Sequence, residues 1–322
     1  LVYFSIIPLV YVLNRGLTLK ESIKVGFVWG FIYVITTIYW LAFNIGVPFG
    51  IGVISMLAAV LFLSLNYIFI CLTYYFFQEV LSIRTILLLP SIWISVEFLR
   101  SFFALGFPWI SIGNTQAYNY IISQNAELFG IYGISFWVIL INVLFYQLLK
   151  LRSRKNTLIL FIIFILPFGS GYLLERRIPV ISDKMHISVI QPNVHLSEKR
   201  KVGYEQENII NLIKMSMINV SDSIDLIIWP ETATISYLLQ DNKHHLKFIQ
   251  NSLRDSKATL LTGLPYYERD EDNEFIHYNS IAQLSADSII DVYHKTHLVP
   301  IAERVPLAYI LQFLKDINIG KA

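Results

Sequence analysis

The sequence has a single cysteine, Cys71, among 322 residues. One thiol excludes an internal disulfide framework and any Cys-x-x-Cys redox or metal site. Charge is scarce as well: Asp, Glu, Lys and Arg make up 15% of the chain, where an ordinary soluble domain carries about 25%. With a mean hydropathy of +0.56, this argues against a purely cytosolic globule. Neither sign dominates, 25 Lys and Arg standing against 23 Asp and Glu. No Lys/Arg-rich stripe interleaves with aromatics, so nucleic-acid binding finds no support. Also missing are a Gly-x-Gly-x-x-Gly fingerprint, a phosphate-cradling glycine loop and a Gly-x-Ser-x-Gly elbow. The sequence shows no repeat, low-complexity tract, broken-helix pair or inverted repeat, which disfavours a transporter.

What charge there is lies mostly in the second half. Residues 1–177 hold 11 Lys/Arg and 5 Asp/Glu, whereas residues 178–322 hold 14 and 18. Two domains are therefore expected, a polytopic membrane domain over 1–177 and an α/β domain over 178–322. A bilayer core takes about 20 apolar residues per helix. Val25–Phe43, Gly52–Phe77 and Thr85–Phe103 reach about that length, and Ile134–Leu149 and Leu158–Leu174 are a little shorter. A sixth apolar run, Leu1–Leu13, has no basic leader and no small-residue cleavage site. It reads as a membrane helix cut at its start rather than as a signal peptide. About six helices are expected, the first truncated.

Basic residues alternate between loops. Arg15, Lys20 and Lys24 follow the first run, Arg84 follows the third, and Lys150, Arg152, Arg154 and Lys155 follow Leu149. Asn44–Ile51 and Ala104–Ile131 contain neither Lys nor Arg. The positive-inside rule puts Ala104–Ile131, and everything after Leu174, on the outer side; Arg176 and Arg177 alone oppose this. Glu97 and Arg100 stand three apart, where helical side chains meet, and form either a paired interface brace or part of an intramembrane site. The loop Gly106-Phe107-Pro108-Trp109 … Gly113-Asn114-Thr115-Gln116 joins backbone-breaking residues to an interface-seeking indole. It is either an aromatic anchor or the lip of an acyl-chain site, with Trp109 and Gln116 as its candidate contacts.

From Met185 the pattern changes. His186–Gln191 alternates and predicts a strand, Tyr204–Asn219 carries apolar residues at helical spacing, and Ser223–Trp229 suits a strand buried on both faces. A helix over His244–Leu253, a strand over Ala258–Gly263 and a hairpin of Ile276–Leu284 with Ser288–Tyr293 complete an α/β layer. Two places in it carry candidate chemistry. In Trp229-Pro230-Glu231-Thr232-Ala233, Glu231 follows a buried strand, where α/β folds place reactive groups. Partial desolvation there would suit it to general-base work, or else it caps the next helix. In Tyr293-His294-Lys295-Thr296-His297-Leu298-Val299-Pro300, Lys295 also follows a strand. It is either an ammonium that stabilises an oxyanion or a solvated lysine. His294 and His297 lack a third ligand at metal spacing, so no zinc site is expected.

These two motifs, in this order, resemble the nitrilase superfamily, whose sites use Glu, Lys and Cys on an α-β-β-α sandwich. The membrane half narrows the likeness. Gly106-Phe107-Pro108-Trp109, Gly113, Gln116, Gly130, Gly133, Ser135, Phe136 and Asn142 resemble the N-terminal portion of the bacterial apolipoprotein N-acyltransferases. So do Val189-Ile190-Gln191-Pro192-Asn193, Trp229–Ala233 and the run from His294 to Pro306. The resemblance covers nearly the whole chain. It implies a multi-span helical membrane domain followed by an extracytoplasmic nitrilase-like α/β domain, in a bacterial inner membrane. It also implies phospholipid-dependent N-acylation of the lipid-modified N-terminal cysteine of an apolipoprotein, through a thioester acyl-enzyme. The partners implied are a membrane phospholipid as acyl donor and a diacylated apolipoprotein as acceptor, with no cofactor and no metal. Carried over by motif, Glu231 is the general base, Lys295 stabilises the tetrahedral intermediate and Glu303 is a further active-site glutamate. Trp229 joins Trp109 and Gln116 as a candidate substrate contact.

The chain departs from the family at identifiable places. The family's nucleophilic cysteine follows the lysine segment, and none follows Lys295 here, so the α/β domain is expected to be C-terminally incomplete and the chain inactive as given. Cys71, mid-helix in an apolar span, reads as a buried structural thiol. The family's Lys-Trp pair falls on Lys199-Arg200, and its Phe-Gly pair before the second glutamate is Ile301-Ala302. Two other readings stay open: a membrane-tethered nitrilase-type amidase that passes its acyl group to water, and a catalytically silent membrane scaffold.

Overall fold

The computed structural model describes residues 1–43, 48–81, 85–102, 106–177, 184–195, 198, 203–218, 224–271 and 273–298. These fall into two compact units, 1–177 and 184–298. The fold class expected from the sequence is found: a helical membrane unit and a mixed α/β unit.

The first unit is entirely helical. Its opening apolar run breaks at Ile6 into α1 (Val2–Ser5) and α2 (Ile7–Leu13), with Pro8 in the first turn of α2, the helix position that tolerates a missing N–H. Asn142, fully buried on α7 (Ala126–Leu151), repairs the break. Its Oδ1 accepts the Ile6 N–H at 3.0 Å and its Nδ2 donates to the Val2 carbonyl at 3.0 Å. Such groups have no water to turn to in a bilayer.

α3 (Leu19–Ile38) starts on a capping box, Thr18 and Glu21 each bonding the other's backbone, and its buried stripe is Ser22, Gly26, Gly30, Val34 and Ile38. The glycines let it lie against α4 (Phe49–Leu81). A Cβ on Gly26 would stand 2.6 Å from the Ile68 Cα. This is the small-residue seam by which membrane helices approach closely.

α5 (Leu89–Arg100) follows a 3-10 turn over Thr85–Leu88. A span was expected over Thr85–Phe103, but the α-helix begins beside Pro90 and has 12 residues, about 18 Å against a core of about 30 Å. Proline prefers the first turn of a helix, and here it shortens the run. Among the described residues, four helices are long and apolar enough to cross a membrane: Leu19–Phe43, Phe49–Val80, Ala126–Leu151 and Arg154–Glu175. The short α6 (Tyr120–Ser123) precedes α7, which kinks at Gly130 (φ 61°), and α8 (Arg154–Glu175) follows it. Phe62, Leu65 and Phe69 on α4, and Phe161, Ile162 and Leu166 on α8, are exposed, as side chains against lipid tails should be.

The second unit is one five-stranded sheet in sequence order, β1 (Ile187–Val189), β2 (Leu226–Ile228), β3 (Thr259–Arg269), β4 (Phe275–Leu284) and β5 (Ile289–His294). β1, β2 and β3 are parallel and are linked through α9 (Tyr204–Ile218) and α10 (Lys243–Leu253). β3, β4 and β5 form an antiparallel meander. β3 runs on to Arg269, past the expected end at Gly263. Of the run expected to be buried on both faces, Ile227 is fully buried and its two neighbours half-buried. The core gathers Ile209 and Leu212 of α9, Ile249 and Leu253 of α10 and Leu260, Leu264 and Ala282 of the sheet.

Candidate active site

The strand directions bring the two charged candidates to one edge of the sheet. β2 is parallel to β3, and β5 returns to that direction after two antiparallel steps. Glu231, after β2, and Lys295, after β5, therefore both sit beyond C-terminal strand ends, where α/β folds bind ligands.

The segment after β2 is held on both sides of Glu231. The Trp229 N–H donates to the Leu261 carbonyl at 2.8 Å, and the Ala233 N–H to the Gly263 carbonyl at 3.0 Å. Between them Thr232 takes a left-handed conformation (φ 55°), which costs a non-glycine residue about 1 kcal/mol. On β3, Gly263 makes room for the turn: a Cβ there would lie 2.7 Å from the Glu231 Cα and 2.8 Å from the Thr232 N.

The Glu231 carboxylate leans away from the core. Its Oε1 accepts from Lys295 Nζ at 3.2 Å and from Asn279 Nδ2 at 2.6 Å. Asn279, on β4, also takes the Lys295 backbone N–H on its carbonyl at 2.8 Å. One residue thus fixes the carboxylate and the base of the lysine together. The Glu231 side chain is 60% exposed and that of Lys295 is 32% exposed. The expectation of a partly desolvated carboxylate is corrected here: the short turn carries Glu231 past the end of the sheet into solvent, and two donors rather than burial define its setting. Next to Lys295, His294 points the other way. Its ring stacks on Tyr278 with centroids 4.3 Å apart, and its Nδ1 lies 2.8 Å from Ser280 Oγ, which holds the strand end from which the lysine departs.

The remaining candidates are placed as follows. Glu303 lies outside the described residues, as do Lys199-Arg200 and Ile301-Ala302. Trp229 is buried, its Nε1 donating to Ser216 Oγ at 2.9 Å. Gln116 is buried in the membrane unit and accepts the Tyr3 hydroxyl at 2.7 Å. Trp109 is 52% exposed, near Phe107 and Trp40 at centroid distances of 5.1 and 6.4 Å. Cys71 is buried on α4. Among the described residues no group of His, Cys, Asp and Glu is arranged to hold a metal.

Glu97 and Arg100 turn toward the loop instead of toward each other. Glu97 Oε1 accepts from Trp93 Nε1 at 3.0 Å and from the Ile112 N–H at 2.8 Å. Arg100 donates to the Phe107 carbonyl at 3.1 Å and to Ser111 Oγ at 3.3 Å. Both are buried, and they brace the loop rather than pair. Sequence reasoning passed over Asn279, although an asparagine inside a strand, where its type is depleted, was a signal.

Comparison with known proteins matches both halves of the chain. Residues 1–144 match the family described as apolipoprotein N-acyltransferase N-terminal domain, and residues 186–315 match the carbon-nitrogen hydrolase family. The chain is similar to apolipoprotein N-acyltransferases of Wigglesworthia glossinidia brevipalpis, at 30% identity over 95% of this chain and 62% of the relative, and of Geobacter metallireducens, at 27% over 94% and 60%. A third, from Rickettsia prowazekii, is 27% identical over 97% of this chain and 63% of its own length. The chain thus spans about three fifths of the length of these relatives.

Proposed function

We propose that this chain, which belongs to the apolipoprotein N-acyltransferase family, serves phospholipid-dependent N-acylation of apolipoproteins in a bacterial inner membrane. The observation that carries the reading is the Glu231–Asn279–Lys295 cluster at the strand ends. Glu231 Oε1 is occupied by two donors, so Oε2 is the oxygen that takes up a proton. A thiol nucleophile, of the kind the family uses, gives its proton to Glu231 and attacks an ester carbonyl of the phospholipid. The oxyanion that forms is stabilised by the Lys295 ammonium. Collapse forms the thioester and expels lysophospholipid, whose oxygen takes the proton back from Glu231. In the second half-reaction the α-amino group of the diacylated N-terminal cysteine attacks the thioester. Glu231 takes its proton and the thiolate leaves. Glu303 belongs to the same machinery by motif. No cofactor is needed for this chemistry.

Trp109, with its exposed indole beside Phe107 and Trp40, is the candidate contact for an acyl chain. Gln116 and Trp229 serve by shaping the segments around it and around Glu231, since both side chains are spent on internal hydrogen bonds. The basic loops support an outer-side position for the catalytic domain.

In the full-length protein, Glu231→Gln and Lys295→Ala are each expected to reduce acyl transfer by about 1,000-fold. The assay supplies labelled phospholipid and a diacylated lipopeptide, and membrane insertion stays intact. Near-normal turnover by either variant removes its assigned role. Labelled fatty acid released with no labelled lipopeptide makes the protein a hydrolase.

A further inference from the structure

α9 does more than cover the sheet. Three of its polar side chains, Glu205, Asn208 and Ser216, share one face of the helix at positions i, i+3 and i+11, within reach of a common surface. All three bond to the segment that carries Glu231. Ser216 Oγ accepts the Trp229 indole N–H at 2.9 Å and gives its own proton to the Leu212 carbonyl at 2.8 Å. Asn208 Nδ2 donates to the Ala233 carbonyl at 2.8 Å. Glu205 Oε1 accepts the Ser236 N–H at 2.8 Å, the Ser236 hydroxyl at 2.6 Å and the Ile235 N–H at 3.2 Å. β3 grips the same segment from the other side, at Trp229 and Ala233. Trp229 and Ala233, which flank Glu231 two residues away on each side, are therefore each held from both the helix and the strand. The left-handed turn at Thr232 would relax if one grip were released, because strained backbone persists only where its surroundings over-determine it.

We infer that α9 is a clamp that positions Glu231 for proton transfer, with Asn208 as its central positioning residue. Asn208 is 7% exposed, and its contact falls on the carbonyl of Ala233, the residue directly after the left-handed Thr232. It touches no reacting atom and acts through the Ala233 carbonyl. The inference rests on the acyl-transfer reading for its consequence in turnover, but the clamp itself is measurable without it.

The test is Asn208→Asp in the full-length protein in lipid nanodiscs. The substitution keeps the shape of the side chain and removes the donor whenever the new carboxyl is ionised. A carboxyl buried against a carbonyl, one turn from Glu205, titrates above its ordinary value, so acidification returns a hydroxyl donor to Ala233. Turnover at neutral pH is expected to fall by about 10- to 100-fold, with KM for phospholipid unchanged, since misplacing a reacting group by about 1 Å costs that much. The deficit relative to the unsubstituted protein should shrink as the pH falls and the new carboxyl is protonated. Hydrogen–deuterium exchange of residues 229–236 should quicken at neutral pH and slow again on acidification.

Unaltered turnover, or a deficit that does not change with pH, overturns the inference. Should the unsubstituted protein transfer no acyl group, the acyl-transfer reading falls while exchange still reports on the clamp, and unchanged exchange in the variant then overturns it. If Asn208→Asp does not fold, Glu205→Ala, at a half-buried position in the first turn of α9, asks the same question. It should lower turnover by about 5- to 10-fold at unchanged KM, and normal turnover there overturns the inference equally.

Discussion

The two units differ in where they keep the charged residues singled out in each, buried in the helical unit and at the rim in the α/β unit. In the helical unit Glu97, Arg100, Ser135 and Asn142 are buried, and each spends hydrogen bonds on backbone or loop groups. Ser135 Oγ accepts the Gly113 N–H at 2.9 Å, just as Asn142 mends the break at Ile6. In the α/β unit the charged pair with chemical promise, Glu231 and Lys295, stands at the rim, 60% and 32% exposed. Charge in an apolar helical segment is a functional signal by default, yet the buried charges of the short α5 have structural employment. Glu97 Oε1 is taken up by two donors and Arg100 by two acceptors, while Glu97 Oε2 is buried without a hydrogen bond, which adds to the cost of that brace. A pair at strand ends keeps acceptor capacity for a substrate.

The contrast breaks most sharply at Glu97. Glu97→Leu leaves the Trp93 indole N–H and the Ile112 N–H without their acceptor. Each buried donor left unpaired costs about 1–3 kcal/mol. The unfolding temperature of the full-length protein in detergent should fall by about 10 °C, whereas turnover per folded molecule stays normal. Glu97→Gln, which retains the accepting oxygen, should recover most of the loss. A stable but inactive Glu97→Leu would make this carboxylate functional and erase the distinction between the units.

Asn279 probes the other side of the comparison with a smaller effect. Asn279→Ala removes one of two donors on Glu231 Oε1 at a half-buried position. Turnover is expected to drop by about 10-fold, by the cost of one charge-assisted hydrogen bond, with the unfolding temperature nearly unchanged. An unfolding shift as large as that of Glu97→Leu would show that rim residues in the α/β unit are structural too.

Much of this was legible in the residues. Apolar runs marked the helices of the first unit, and the order of Trp229–Ala233 and His294–Leu298 marked the strand ends on which the site is built. The asymmetry in charge marked the two regions. Other features depend on groups far apart in sequence. Nothing local at Asn142 tells that its amide completes a backbone 136 residues away. Nor does Asn208 announce its bond to Ala233, 25 residues on. The span expected over Thr85–Phe103 misled because hydropathy counts apolar residues and ignores where Pro90 permits a helix to start. The desolvated setting expected for Glu231 misled for a related reason. A carboxylate after a buried strand is not itself buried when Thr232 turns left-handed and Gly263 lets the chain swing outward.

The smallest expected effect lies at Trp109, in the helical unit. Its indole is exposed, so if exposure marks function in this chain, it should do so here as well. Asn114 Nδ2 holds the Trp109 carbonyl at 2.9 Å, a backbone contact that Trp109→Ala preserves, and an exposed side chain contributes within about 0.5 kcal/mol to stability. What the substitution removes is exposed ring surface beside Phe107 and Trp40, the surface that the proposed function assigns to an acyl chain. At about 25 cal/mol per Å² of apolar contact, partial loss of such a surface raises KM for phospholipid by about 3- to 10-fold and leaves turnover at saturation unchanged. Trp109→Phe should restore most of the affinity. If neither constant moves, the ring is an interface anchor, and exposure distinguishes reactive groups in the α/β unit alone.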